Sequence, residues 1–124
     1  EWEYAARSGG REEKYAGGSN IDSLGWYYSN SGGSTHPVGQ LSPNGLGIYD
    51  MSGNVWEWVQ DVYSENAYSS HSRNNPIYTG GGSVRVYRGG SWSNYARYTR
   101  ASYRYGDVPG YGFSNLGARL ARTP

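Results

Sequence analysis

Only three short stretches of this chain set apolar side chains in a pattern that strands can use. Residues 55–59, Val55-Trp56-Glu57-Trp58-Val59, alternate, so that Val55, Glu57 and Val59 share one side and Trp56 and Trp58 the other; that is the period of a strand. Residues 84–87, Val-Arg-Val-Tyr, alternate in the same way and stop at Gly89-Gly90. Residues 116–121 supply a closing strand. Residues 1–7, Glu-Trp-Glu-Tyr-Ala-Ala-Arg, are good helix formers with a stop at Gly9-Gly10. No cap residue precedes them, so the chain reads as the middle of a longer protein or a shortened form of one. The remainder is loop. Residues 15–37 are Gly, Ser, Asn and Tyr around a Trp26-Tyr27-Tyr28 cluster, Ser42-Pro43-Asn44-Gly45 is a strong turn signal, and residues 61–82 form a second long polar stretch. No internal repeat of fixed period is present.

So little regular structure leaves a problem of cohesion. The 124 residues suit one domain, 1–124. Hydrophobic residues are only 35% of them, while Gly numbers 20, Tyr 14 and Trp 5. The core must be small and largely aromatic, and the loops must be pinned by rings, by buried polar networks or by a metal. The fold class expected is α+β with low regular secondary structure. With no Cys, this segment has no disulfide, thiolate metal site or Cys nucleophile. No apolar run is long enough for membrane insertion, and no charged-then-apolar leader opens the chain. The net charge of +1 hides an asymmetry: the first 84 residues hold 4 basic and 9 acidic side chains, whereas residues 85–122 hold seven Arg and only Asp107 as an acid. Such segregation points either to pairing between the halves or to a basic binding face.

Four blocks carry a resemblance. They are Glu1-Trp2-Glu3-Tyr4-Ala5-Ala6-Arg7; Pro37-Val38-Gly39; Pro43-Asn44-Gly45-Leu46-Gly47-Ile48-Tyr49-Asp50-Met51-Ser52-Gly53-Asn54-Val55-Trp56-Glu57-Trp58-Val59; and Arg85-Val86-Tyr87-Arg88-Gly89-Gly90-Ser91-Trp92. In this order they resemble the formylglycine-generating-enzyme, or sulfatase-modifying factor, family, a branch of the C-type lectin-like fold. Leu116-Gly117-Ala118-Arg119-Leu120 is similar to the family's Gly-Phe-Arg ending, with Ala118 where Phe is usual. The resemblance implies a C-type lectin-like fold of which only the later part is present. It does not imply the enzyme's chemistry, because the family's oxidation uses a copper-binding Cys pair that this segment lacks. His36 and His71 stand in loops without ligand spacing, and His36 reads as a surface loop residue. No G-x-S-x-G, phosphate-binding Gly loop or H-E-x-x-H occurs.

The resemblance also implies a structural calcium site at Asp50, Gly53, Val55 and Glu57, through two side chains and two backbone carbonyls; hard oxygens in a flexible arrangement suit that ion. Read from the residues alone, Asp50 equally suits the cap of a turn, and Glu57 an ion pair with one of the many Arg.

Residues 93–115 read Ser-Asn-Tyr-Ala-Arg-Tyr-Thr-Arg-Ala-Ser-Tyr-Arg-Tyr-Gly-Asp-Val-Pro-Gly-Tyr-Gly-Phe-Ser-Asn. Here the resemblance narrows to the variable proteins of diversity-generating retroelements, which recopy a template with errors at adenines. That process turns Asn codons into others but cannot make Lys, Glu, Gln, Trp or Met. The positions it implies as varied are Ser93, Asn94, Tyr95, Tyr98, Tyr103, Tyr105, Gly106, Asp107, Tyr111, Gly112, Phe113, Ser114 and Asn115, and all thirteen are reachable types. They are interspersed with Arg97, Arg100 and Arg104, directly after Gly-Gly-Ser-Trp. As a surface, the mixture is sound: Tyr gives stiff amphipathic contact area and Ser, Gly and Asn adaptable hydrogen bonds. Such a patch covers on the order of 800 Å² per partner.

Two other readings compete. The Tyr rings can be core, above all Tyr87, which lies in a strand. Arg interleaved with Tyr also suits nucleic acid, but the near-zero net charge and single Lys weigh against that partner. Arg97, Arg100 and Arg104 are expected instead to hold the loops, on acids such as Glu57 and Asp61 and on carbonyls. The function expected is a non-enzymatic binding domain for a protein or cell-surface ligand, on a phage tail or bacterial cell surface, as part of a larger chain or assembly. Its alternatives are a fragment of a sulfatase-modifying-type oxidoreductase or accessory protein, and a structural domain of a surface assembly.

Overall fold

A computed structural model describes residues 1–70 and 80–121. Four strands form its one named sheet, in the order β3-β2-β1-β4: β1 is Trp56–Val62, β2 Arg85–Arg88, β3 Arg104–Asp107 and β4 Leu116–Gly117. Helix α1 is Trp2–Ala6 and α2 Ala67–Ser70; 3₁₀ turns occupy Ile21–Ser23 and Ala96–Thr99. The expected helix, first strand and second strand are therefore present. The closing strand is much shorter than residues 116–121 and pairs parallel to β1, with Trp56 opposite Leu116 and Glu57 opposite Gly117. Part of the expected 61–82 loop lies outside the described residues, as does His71.

The β1–β2 pair is antiparallel, Glu57 facing Arg88 and Trp58 facing Tyr87, and then slips at a bulge before Val62 meets Arg85. The bulge absorbs extra β1 residues and adds twist. Strand β3 lies inside the stretch read as loop. It pairs with β2 over its whole length, Tyr105 opposite Tyr87 and Gly106 opposite Val86. No apolar alternation marks Arg-Tyr-Gly-Asp as a strand; its partner β2 imposes the extended form.

Small aliphatic groups fill the interior. Ala6, Ala16, Met51 and Ala101 form one buried cluster, with Trp2, Ala5 and Ile48 packed on it; Tyr15, Ile21 and Leu24 form another, against Tyr27 and Ala96. Three Ala and a Met in the first cluster, and a Tyr beside Ile and Leu in the second, show how so apolar-poor a chain closes a core. Polar side chains do the remaining pinning. Ser52 Oγ, fully buried, accepts from Ala16 N (3.0 Å) and donates to Thr99 O (2.9 Å), tying three distant segments. Asn44 Nδ2 donates to Ala5 O at 2.7 Å while its Oδ1 accepts from Leu46 N and Ile48 N. Each bond satisfies backbone groups that a loop would otherwise bury unpaired.

Two glycines make this approach feasible. At Gly53, φ is +84° and a Cβ would stand 2.2 Å from Trp26 O; at Gly90, φ is +70° and it would stand 2.7 Å from Thr99 Cγ2. Only a residue without a side chain takes both the conformation and the contact. The main chain then clamps residues 93–115 at both ends: Trp92 N donates to Asn54 O and Trp56 N to Asn115 O, each at 2.8 Å.

Candidate ligand-binding face

The pleat of the sheet sorts its side chains. Trp58 on β1, Tyr87 on β2 and Tyr105 on β3 are register neighbours and so share a face, and Trp56, two residues from Trp58, joins them. Their rings touch: Trp56–Tyr87 centroids are 5.0 Å apart, Trp58–Tyr87 5.3 Å and Tyr87–Tyr105 5.7 Å. From Trp56 the series passes to Tyr103 and on to Tyr98; from Tyr105 it passes to Tyr63. Beyond Tyr98, the guanidinium of Arg97 lies 4.5 Å from the Tyr98 centroid and 5.4 Å from that of Tyr95, and Tyr95 packs on Tyr28 at 5.0 Å. A tract of contacting rings, bridged between Tyr95 and Tyr98 by the Arg97 guanidinium, thus runs from Tyr28 to Tyr63. Edge-on and tilted ring pairs of this kind are attractive beyond the area they bury.

None of the thirteen expected positions is buried. Ser93, Tyr95, Tyr105, Tyr111, Gly112, Phe113 and Ser114 are exposed; Asn94, Tyr98, Tyr103, Gly106, Asp107 and Asn115 are half-buried. Tyr111 is 62% exposed, Tyr95 55%, Tyr105 52% and Phe113 48%. Tyr87, by contrast, is buried, as its place in a strand led one to expect. A cavity of about 180 Å³ opens where the two sets meet, lined by Trp56, Tyr87, Phe113, Asn115 and Leu116.

Three of the thirteen also have a job in the frame. Asn94 Oδ1 accepts from the buried Ser91 Oγ, and its carbonyl accepts from Tyr28 N. Asn115 Nδ2 donates to Ser91 Oγ and, at 3.1 Å, to Ser93 Oγ. A Cβ on Gly106 would stand 2.7 Å from Tyr63 Cβ and Cγ, so any side chain there displaces Tyr63. Five rings of the tract lie outside residues 93–115: Tyr28, Trp56, Trp58, Tyr63 and Tyr87. The Trp26-Tyr27-Tyr28 cluster and the Trp-x-Trp alternation signalled aromatic surface there, but nothing in one sequence said that these loops and strands converge.

Burial acts on the phenols. It pushes Tyr87 up to about 12, with the charge of Asp107 adding to it, and it raises Tyr103, with Tyr98 next in effect. Tyr87 and Tyr103 therefore present neutral hydroxyls at any physiological pH.

The expectation for the arginines is corrected in part. Arg104 holds the loop as foreseen, through the carbonyls of Ser64 and Glu65. Glu57, however, is taken by Arg119: Nε donates to both carboxylate oxygens at 3.1 Å and Nη2 to Oε1 at 2.8 Å, while Trp2 Nε1 donates to Oε2 at 2.8 Å. Arg97 lies among rings and donates to Tyr98 Oη at 2.7 Å, a bond that raises its pKa further.

This arrangement bears on calcium at Asp50, Gly53, Val55 and Glu57. Glu57 faces a guanidinium that already neutralises it, and Asp50 Oδ2 accepts from Gly39 N at 2.7 Å, bracing a turn. As folded, the four residues do not fit the ion, which would require Arg119 to withdraw. Among the described residues, no three His, Cys, Asp or Glu side chains gather to hold a metal. His36 is more than a surface loop residue: its ring stacks on Trp26 at 3.8 Å, and its Nε2 lies 2.7 Å from Ser31 O. No helix of the described chain is long and apolar enough to cross a membrane.

Comparison with known proteins agrees with the geometry. The family model of the sulfatase-modifying factor enzyme 1-like domain matches residues 1–124, and the chain belongs to that family. It is 36% identical to the formylglycine-generating enzyme of Streptomyces coelicolor over 98% of this chain and 44% of that protein. It is 38% identical to the serine/threonine-protein kinase Pkn1 of Chlamydia trachomatis over 98% of this chain and 20% of that one. Among solved structures, Treponema denticola variable protein 1 superposes with a TM-score of 0.79 at 36% identity, covering 95% of this chain and 43% of that one. The fold is the expected one: a small mixed sheet with few helices, of the formylglycine-generating-enzyme, C-type lectin-like type. The chain spans less than half the length of these relatives.

Proposed function

We propose that this chain is the ligand-binding part of a variable protein: a non-enzymatic domain whose residues 93–115 are diversified by a retroelement and bind a protein or cell-surface ligand, on a phage tail or bacterial surface. One observation carries the reading. All thirteen positions implied as varied reach solvent, and Tyr95, Tyr98, Tyr103 and Tyr105 among them join a tract that Arg97 bridges and the sheet backs. A stiff support lowers the ordering cost of binding, and clustered Tyr side chains are the usual anchors of a protein contact. The likeness to Treponema denticola variable protein 1 supports it.

The test is genetic. Sequencing the locus is expected to find a near-copy of the segment encoding residues 93–115, with Asn codons of the form AAC at the thirteen positions, beside a reverse transcriptase. A locus with neither removes the diversification claim. A second reading rests on the 36% identity to a formylglycine-generating enzyme: the whole protein is an oxidoreductase whose reactive groups lie outside this segment. Metal-dependent oxidation of a cysteine substrate by the full-length chain decides for it.

A further inference from the structure

Resting on that reading of the face, we infer that the ligand is a protein segment carrying a carboxylate beside apolar side chains, and that Arg97 is the residue that reads the acid.

Most arginines whose side chains are described have work to do in the frame. Arg7 pairs with Glu3, Arg88 with Glu3 and Arg119 with Glu57; Arg85 bonds Gly82 O and Arg104 bonds Ser64 O. Arg97 has none. It is exposed, its one hydrogen bond among the described residues goes to the hydroxyl of the half-buried Tyr98, and no acid of the described chain pairs with it. Arg100, at the end of the same 3₁₀ turn, is exposed and makes no side-chain bond among the described residues.

Arg97 is nonetheless held in place. Tyr95 and Tyr98 approach its guanidinium at 5.4 and 4.5 Å, and Tyr98 Oη accepts from Nη2. A guanidinium kept over rings loses little freedom when it binds, and its planar fork matches a carboxylate with two parallel bonds. The rings around it call for an apolar neighbour. Asp107, the one acid of residues 93–115, accepts from Val108 N at the other end of β3, so it does not quench this charge. Polyanions fit less well. Nucleic acid is bound through many cations along a groove, whereas among the described residues Arg97 is the one cation without an acid or carbonyl partner that lies over these rings.

The test immobilises the full chain and selects from a random peptide library displayed on phage. The enriched peptides are expected to carry Asp or Glu next to aromatic or aliphatic residues. Their affinity for Arg97→Gln is expected to fall roughly tenfold. Arg97→Lys, which keeps the charge but not the fork, falls between. Raising salt to about 0.5 M weakens the wild type and leaves Arg97→Gln nearly unchanged. Enriched peptides without acidic bias, binding Arg97→Gln as well as the wild type, overturn this inference and leave the aromatic face standing. Binding indifferent to both Tyr105→Ala and Tyr111→Ala, or no enrichment at all, overturns the face itself and this inference with it.

Discussion

Residues 15–54 and residues 93–115 are built from nearly the same letters, Gly, Ser, Asn and Tyr, yet they fold to opposite ends. In the first region the polar side chains turn inward: Ser31, Asn44, Ser52 and Asn54 are buried and bonded to backbone. In the second the ends are secured by main-chain bonds and by the amides of Asn94 and Asn115, and no expected ligand position is buried. Composition does not separate an internal loop from a display loop. What separates them is whether a side-chain oxygen or amide finds an unpaired backbone group within reach.

Glycine substitution gives the sharpest way to break this contrast. Gly53→Ala places a Cβ 2.2 Å from Trp26 O at φ +84°, whereas at Gly112 a Cβ meets nothing within 4 Å. Gly53→Ala is expected to cost about 4 kcal/mol or to prevent folding, and Gly112→Ala to cost under about 0.5 kcal/mol, read by urea unfolding. Equal costs would erase the distinction.

Next comes Glu57→Ala, which strips Trp2 and Arg119 of their shared acceptor. It is expected to cost about 3 kcal/mol, and a cycle with Arg119→Ala assigns how much belongs to the pair.

Alkali tests the border between the regions, where Tyr87 supports the face. Its phenol is near 12 when folded and near the ordinary value of about 10 when unfolded. The folded state therefore holds a proton that the unfolded state releases between these values. That stabilisation is whole below pH 10 and lost as pH rises toward 12, by on the order of 2 kcal/mol. Tyr87→Phe removes this slope if Tyr87 is its source.

On the display side, Tyr111→Ala is expected to shift stability by less than about 0.5 kcal/mol, while ligand binding through the face falls. The smallest effect is expected from a chelator. With Arg119 on Glu57, the melting temperature stays where it was; a clear rise on adding calcium would show that the guanidinium gives way to the ion.

Much of the frame was legible in the sequence because its signals are local. The Trp56/Trp58 alternation gave β1, the Val-Arg-Val-Tyr run gave β2, and the blocks shared with the family gave the fold. The exposure expected of Tyr95, Tyr105, Tyr111 and Phe113 also agrees with the structure. Strand β3 was not legible, since Arg104–Asp107 is extended only because β2 offers it hydrogen bonds. The partner of Glu57 was foreseen in kind but not in person, because Arg119 is 62 positions away and six other arginines follow residue 84. Gly106 looked like one more changeable letter until Tyr63 was found lying against it.

The clamp formed by Asn54 O and Trp56 N has a practical reach. The two anchors are two positions apart on one strand approach, and both use peptide groups that every residue except proline supplies in full. The span from 93 to 115 therefore starts and finishes at one point, while Thr99 and Ala101, buried midway, and β3, paired with β2, moor its middle. New letters can enter at its solvent-facing positions without moving the entry or the exit, so the domain suits recognition sequences transplanted residue by residue rather than as a whole replacement loop.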